Sequence, residues 1–322
     1  MTNTIFDDWH VIGADRDFPA GTVKSVRLLG RDLVAWCGVD GHLRVWDDRC
    51  PHRGAKLSGG KIEDNTLICP YHGLAYDIGG HCIRIPAHPD LSPPARMRSV
   101  AYATQPRYGL WWVCLGNPEA AEIPPFPEWD DRSYRKFLCD PYTYCSSGLR
   151  AIENFLDVSH FPFIHDGFLG DRHHTTVSDY QVNTDEMGLE LRDVRVWQPD
   201  PDGTGNGGEV TYNYRVWRPL VASFVKQSPS GCLAIFFAVT PVEEELCLGW
   251  MWIAMNYGWD LPESELRQFQ DTVVRQDIPI VESQVPRRLP LDLRAEVHLP
   301  CDRASIAYRQ WLSSLGVCFG AI

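Results

Sequence analysis

The chain has 322 residues, enough for one large domain or two ordinary ones. Its 30 Lys and Arg against 42 Asp and Glu leave a net charge of −12, and no basic run offers a footprint for nucleic acid. With 44% hydrophobic and 22% charged residues, the composition suits a globular chain with a sizeable core and excludes disordered or collagen-like structure.

The opening MTNTIFDDWH has neither a basic region nor an apolar stretch, so no signal peptide is expected. The longest apolar run, around Leu246–Met255, is too short to span a bilayer. The 11 cysteines are odd in number and widely spaced, unlike a disulfide framework. These features predict a cytoplasmic protein with reduced thiols and no membrane association. In that setting, cysteines beside histidines point to metal.

From Trp9 to about Leu115, short apolar stretches are cut by turn residues: Val23–Leu29, Leu33–Trp36, His42–Trp46 after the Asp40–Gly41 turn, and Gly109–Leu115. The pattern predicts a small antiparallel β domain over residues 1–117. The stretch NPEAAEIPPFPEWDD that follows holds four prolines and five acids. Proline fixes φ and withholds a donor, so residues 118–131 read as a linker.

Residues 132–322 predict an α+β domain, a curved antiparallel sheet with helices packed on it. A helix is expected over Ile152–His160, and strands over Leu189–Trp197, Glu209–Trp217, Leu233–Thr240 and Leu246–Asn256. The segment Pro201–Gly208 reads as a flexible loop and lacks the Lys-Ser/Thr ending of a phosphate loop. Pro262 opens a second helix, Glu263–Ser283.

The densest chemical signal is Cys50-Pro51-His52-Arg53-Gly54 followed by Cys69-Pro70-Tyr71-His72-Gly73. Each short loop offers one thiolate and one imidazole, a proline that stiffens it and a glycine that permits close backbone approach. Structural zinc is one reading of two Cys and two His. Zinc fingers usually segregate cysteines from histidines, however, whereas each loop here is mixed. Mixing suits a 2Fe–2S cluster with two Cys on one iron and two His on the other. At these residues the chain resembles the Rieske iron–sulfur proteins, with Leu74 where that family often has Trp. Nine cysteines lie outside the motif, and Cys37, Cys82 and Cys114 are expected to be small core residues.

The second constellation is Asn154, Asp157, His160 and His165, with Asp277 far downstream. On one helix, Asn154, Asp157 and His160 share a face. His165 lies about 140° further round, so the two histidines converge only if Pro162 breaks or bulges the helix. Asp277 falls on the apolar stripe Leu266, Phe269, Val273 and Ile280 or Val281. A buried carboxylate there is costly unless paired, with Arg303 for example, or bound to metal. Two His and one carboxylate form the facial triad of non-haem Fe(II) oxygenases, with positions open for dioxygen and substrate.

Across nearly its full length the chain therefore resembles the catalytic (alpha) subunit of the Rieske non-haem iron oxygenases. Ile85–Asp90, Phe155–Asp171 and Cys301–Val317 look like the vanillate O-demethylase branch and, more closely, the saxitoxin-type hydroxylases. The resemblance implies an all-β Rieske domain followed by a helix-grip catalytic domain. It implies that Cys50, His52, Cys69 and His72 hold the cluster and that His160, His165 and Asp277 hold a mononuclear Fe(II). Asn154 would line that site. Asp157 would join His160 to His72 of a neighbouring subunit in a head-to-tail homotrimer.

It further implies dioxygen as co-substrate, and NAD(P)H acting through a separate ferredoxin or flavin reductase. The reaction expected is monooxygenation, hydroxylating a C–H bond of a small organic molecule. O- or N-demethylation of a small aromatic or heterocycle is the alternative. An electron-transfer protein with a ligand-binding domain and a zinc-stabilised binding module remain as further readings. Phe161, Phe163, Trp217, Phe236 and Met255 are candidates for the substrate pocket.

Overall fold

The computed structural model describes residues 4–185 and 188–322. Residues 1–3 and 186–187, at the start of the expected first domain and within the second, lie outside the described residues. By contacts the chain divides between Ile123 and Pro124, inside the proline-rich stretch, with Thr4 and Ile5 grouped with the second unit.

The first unit carries ten strands: β1 (His10–Ala14), β2 (Val23–Leu28), β3 (Arg31–Cys37), β4 (Leu43–Asp47), β5 (Lys61–Glu63), β6 (Thr66–Ile68), β7 (Ala75–Tyr76), β8 (Cys82–Arg84), β9 (Ala101–Arg107) and β10 (Leu110–Cys114). Six form an antiparallel sheet in the order β1-β10-β9-β4-β3-β2, and β5-β6-β7-β8 form a second, smaller sheet. The Asp40–Gly41 turn joins β3 to β4, with Gly41 at φ +73°, where a side chain would be strained. Trp36 and Trp46 meet edge to face at 4.9 Å inside a core that also holds Cys50, Cys69, Leu74, Tyr76 and Cys82. Cys37, Cys82 and Cys114 are buried free thiols, as small core residues should be.

The proline-rich stretch is less free than a linker. The Trp9 indole donates to the Ala121 carbonyl at 2.9 Å, tying the near end to the first unit. Beyond the division, Phe126 stacks on Phe236 at 5.3 Å and Trp129 meets Trp252 at 4.9 Å. Aromatic burial fixes this segment where its prolines alone would leave it extended.

The second unit is built on β11 (Arg135–Leu138), β12 (Tyr142–Tyr144), β13 (Gln181–Asp185), β14 (Gly188–Gln198), β15 (Gly208–Arg218), β16 (Val221–Ser228), β17 (Gly231–Glu243) and β18 (Leu246–Met255). The path is antiparallel, β11-β18-β17-β16-β15-β14-β13, with β12 also on β18. Four helices accompany it: α1 (Gly148–Leu156), α2 (Phe161–Ile164), α3 (Glu263–Ser283) and α4 (Arg303–Ser314). The Ser147 hydroxyl caps α1 by accepting from Leu149 N–H at 3.1 Å and donating to the Gly320 carbonyl at 2.7 Å. Buried Arg150 and Arg309 brace α1 through Glu153 and Glu296, with Arg309 Nε 2.6 Å from Glu153. Each buried charge here has a partner, which is the condition for keeping it.

The helix expected over Ile152–His160 is overturned in an instructive way. α1 ends at Leu156, because Asp157 turns extended (φ −86°, ψ 129°), and a new short helix begins after His160. Pro162 sits in the first turn of α2 and does not break it; proline is tolerated there because no N–H is needed. Asp157 and His160 therefore do not share a helix face. The helix Glu263–Ser283 lies where its periodicity placed it, with Phe269 and Ile280 on exposed ground and Val273, Val274 and Val281 buried. Among the described residues, no helix is long and apolar enough to cross a membrane.

Candidate metal centres and the adjoining cavity

The two Cys-His loops are built alike. Cys50 N–H donates to the Ala55 carbonyl at 2.8 Å and Gly54 N–H to the Cys50 carbonyl at 2.8 Å; Cys69 N–H to Leu74 and Gly73 N–H to Cys69 repeat the pattern at 2.8 and 3.1 Å. Gly54 and Gly73 take φ of +74° and +67°, which lets each loop close. Both sulfurs are buried while both imidazoles are exposed, and the His52 and His72 ring centroids lie 4.7 Å apart. The Tyr71 and His72 N–H groups reach the Cys69 sulfur, opposing the rise in its pKa that burial causes.

Tyr76, which the spacing did not single out, places its hydroxyl 3.1 Å from the Cys50 sulfur. Burial keeps this phenol protonated, so it is available to donate to a thiolate. Two enclosed sulfurs, Cys69 facing backbone donors and Cys50 a phenol, with two imidazoles at the surface, fit a 2Fe–2S cluster with its histidine iron outermost. Leu74, in place of the larger Trp, packs in the same core and supplies the carbonyl for Cys69.

In the second unit, the α1–α2 corner and α3 bring His160, His165 and Asp277 together. Each offers one ligand atom, all within 4.8 Å of one another. His160 Nε2 and His165 Nε2 lie 3.3 and 3.1 Å from Asp277 Oδ1, and 3.3 Å from each other. Yet Asp277 Oδ1 is buried and, among the described residues, accepts no properly directed hydrogen bond. Short distances without hydrogen-bond alignment mean that the lone pairs converge on a shared point, as ligands of a cation do.

The outer ring nitrogens have their own partners. His160 Nδ1 lies 3.2 Å from Asp157 Oδ2, and His165 Nδ1 lies 2.8 Å from Gln276 Oε1. Such acceptors hold the proton on Nδ1 and turn Nε2 inward as a donor to metal. Asp157 is itself held, its Oδ1 accepting from Ser159 N–H and hydroxyl at 2.7 Å each. Burial works against charge on His160, but the Asp157 and Asp277 carboxylates outweigh it and raise its pKa to about 9. Burial likewise works against ionised Asp277, and the two imidazoles outweigh it and lower its pKa. The donor set is thus one that gains from a cation. Arg303 pairs with Asp179 at 2.7 Å, so it does not neutralise Asp277. A side chain at Gly170 would strike the Phe161–Pro162 backbone at 2.5 Å, so that glycine lets the corner close.

A cavity opens beside the triad, walled by Phe155, Phe161, Tyr212, Tyr214, Phe224 and Phe237, with Asn154 also on its lining. Phe155 is the hub, with ring centroids 5.2 Å from Phe224, 5.1 Å from Phe237 and 5.9 Å from Tyr214. Of the expected pocket residues, Phe161 lines this cavity and Met255 an adjoining one. Phe163, Trp217 and Phe236 line neither. Phe163 is 53% exposed, the Trp217 indole donates to Ser223, and Phe236 packs on Phe126. Strand alternation explains the correction: on β15 the even-numbered Tyr212 and Tyr214 face inward, and odd-numbered Trp217 does not.

Residues 8–100 match the model of the Rieske [2Fe-2S] domain, and residues 146–317 match the vanillate O-demethylase oxygenase C-terminal domain. The chain is 33% identical to methylxanthine N1-demethylase of Pseudomonas putida over 294 residues, 90% of this chain and 82% of that one. It is 29% identical to methylxanthine N3-demethylase of the same organism over 324 residues, 96% and 89% of the two chains. The solved structure of Pseudomonas putida CBB5 NdmA with caffeine aligns at a TM-score of 0.85 and 29% identity, covering 97% of this chain and 91% of that one. The chain belongs to the Rieske non-haem iron oxygenases, as a monooxygenase alpha subunit with a catalytic half of the vanillate O-demethylase type.

Proposed function

We propose that the protein is an oxidative N-demethylase of small planar N-methyl heteroaromatics of the methylxanthine type. The observation that carries this reading is the convergence of two Nε2 atoms and one carboxylate oxygen at the wall of a cavity rich in aromatic side chains. Full-length similarity to two methylxanthine demethylases supports the substrate class. In this reading Cys50, His52, Cys69 and His72 hold the 2Fe–2S cluster, and His160, His165 and Asp277 hold Fe(II). The cluster would supply electrons one at a time, and the iron would bind and activate dioxygen.

The overall change is balanced by two external electrons. The N–CH3 group, O2, two electrons and two protons give N–CH2OH and water; the hemiaminal then splits into N–H and formaldehyde. On a carbon-bound methyl the same oxidation would stop at the alcohol. The protein's own part is positioning. Phe155, Phe224 and Phe237 offer flat faces to a ring, excluding water from the reacting carbon. Asp157 orients His160 and Gln276 orients His165, so neither imidazole can turn away.

The assembly belongs to the same proposal. An exposed His72 edge suits docking against Asp157 of a neighbouring copy in a head-to-tail homotrimer, with Asp157 bridging the two imidazole systems. Electrons would come from NAD(P)H through a separate ferredoxin or flavin reductase. Eleven free cysteines suit a cytoplasmic location. The test is formaldehyde release by the reconstituted holoenzyme with reductase, NADH and caffeine or theobromine. Formaldehyde equimolar with the dioxygen consumed is expected, and dioxygen consumption without formaldehyde would overturn the substrate reading.

A further inference from the structure

Lys226 is a buried charge that neither the triad nor the cluster loops use. It lies on β16 opposite Tyr212 of β15 and is 6% exposed. Its ammonium donates to the Pro201 carbonyl at 2.7 Å and to Gln198 Oε1 at 3.4 Å. Among the described residues, no carboxylate forms an ion pair with it. An ammonium has three N–H donors, so one remains. A buried cation with two neutral acceptors is costly, and a Met would fill the same space without that cost.

The position is as telling as the charge. Lys226 lies on the wall of the aromatic cavity beside the triad and also on the wall of the outer cavity that adjoins it. The outer cavity is bounded by Asp200, Pro201 and Asp202 of the glycine-rich loop and by Tyr257 and Glu265. Lys226 therefore stands at the neck. Gln198 fixes it there, because its amide donates to the Tyr212 hydroxyl at 2.9 Å and to the Leu169 carbonyl at 3.3 Å, which turns Oε1 toward the ammonium. A second polar group waits on the same wall: the Tyr214 hydroxyl is buried and, among the described residues, has no hydrogen-bond partner. Asn154 and Gln270 share this lining, but Lys226 is the buried ammonium among the polar groups a ring substituent would meet there.

We propose that Lys226 is a specificity-determining residue, its remaining N–H donating to a carbonyl or anionic oxygen of the substrate and so selecting which N-methyl group faces the triad. This rests on the N-demethylase reading above. A fixed donor at the neck and a fixed triad on the wall present only methyl groups set at one distance from an acceptor. The substrate class narrows to planar N-methyl heterocycles that carry a ring oxo group.

Burial lowers the Lys226 pKa to about 8, against the raising effect of Asp202 and Asp200. The titratable groups facing it are Asp200, Asp202, Tyr212, Tyr257 and Glu265. The charged form prevails below that value, so affinity for an oxo-bearing substrate should fall as pH rises through about 8.

The test uses the holoenzyme with its reductase, two probes and three proteins. Caffeine carries ring oxo groups, and N-methylindole is a planar N-methyl ring without one. In Lys226→Met, KM for caffeine should rise about ten- to a hundredfold, the preference for caffeine over N-methylindole should collapse, and the pH dependence near 8 should vanish. Lys226→Arg should keep part of the preference, and its pH dependence should vanish because its charge persists. If Lys226→Met does not fold, Lys226→Leu carries the same comparison. A Tm near that of the wild type, with caffeine KM raised, separates recognition from a packing role. Caffeine demethylation with unchanged KM and pH profile in Lys226→Met overturns the inference and leaves the N-demethylase reading standing. An equal loss with both probes also overturns it, as the mark of a structural role. A wild type that demethylates neither probe overturns the reading, and the inference with it.

Discussion

The two donor sets differ in how far apart along the chain their members lie, and much else follows from that. Cys50, His52, Cys69 and His72 come from two near-identical loops within one small unit, each closed by its own backbone hydrogen bonds. His160, His165 and Asp277 come from a helix corner and a distant helix, and they meet only when the second unit has folded. The first set buries its sulfurs and exposes its imidazoles; the second sits beside an aromatic cavity with His165 buried and His160 and Asp277 partly buried. The cluster site is thus shaped for exchanging electrons across a surface, and the triad for chemistry in a cavity walled by aromatic side chains.

The sharpest way to break this contrast is to remove one triad ligand. Asp277→Ala should lower iron from about three to about two atoms per chain and abolish turnover, while the visible absorption of the cluster stays unchanged. Loss of the cluster bands in that variant would show that the two centres are not independent. A milder probe acts one contact further out. Gln276→Leu removes the acceptor for His165 Nδ1 and should weaken retention of the mononuclear iron about ten- to a hundredfold, measured against a chelator. Unchanged retention would mean that the ring is held by packing alone.

The smallest expected effect lies in the first unit. Tyr76→Phe removes the donor to the Cys50 sulfur, worth about 1 kcal/mol, or about 40 mV for one electron. A hydrogen bond to sulfur stabilises the more negative, reduced cluster, so the potential should fall, with the absorption bands kept. Redox titration of the two proteins decides it, and an unchanged or higher potential would contradict the role given to Tyr76.

The same difference explains what could be read from the sequence. The cluster loops are local, so residue type and spacing alone single out all four proposed donors, whereas Tyr76 carries no spacing signal of its own. The long helix Glu263–Ser283 was legible from its proline start and apolar period. The corner between α1 and α2 was not, because a three-residue repeat of Asn154, Asp157 and His160 mimics a helix face. In fact, Asp157 leaves the helix to hold His160 from outside. The cavity wall was the least legible part. The strand Val221–Ser228 is hard to read from residue types, since an inward lysine disguises its alternation. Phe236 and Phe237 differ only in which face of β17 they occupy, a matter of register that composition does not carry.

In the proposed assembly Asp157 would join the two centres, and it offers the most direct test. Fully reduced wild-type holoenzyme, mixed with substrate and dioxygen and without reductase, should reoxidise its cluster and release product in a single turnover. Asp157→Ala should retain about three irons per chain and normal cluster absorption, yet its cluster should stay reduced and product should fall about a hundredfold. Cluster reoxidation and product yield equal to those of the wild type would contradict the coupling of the two centres through Asp157.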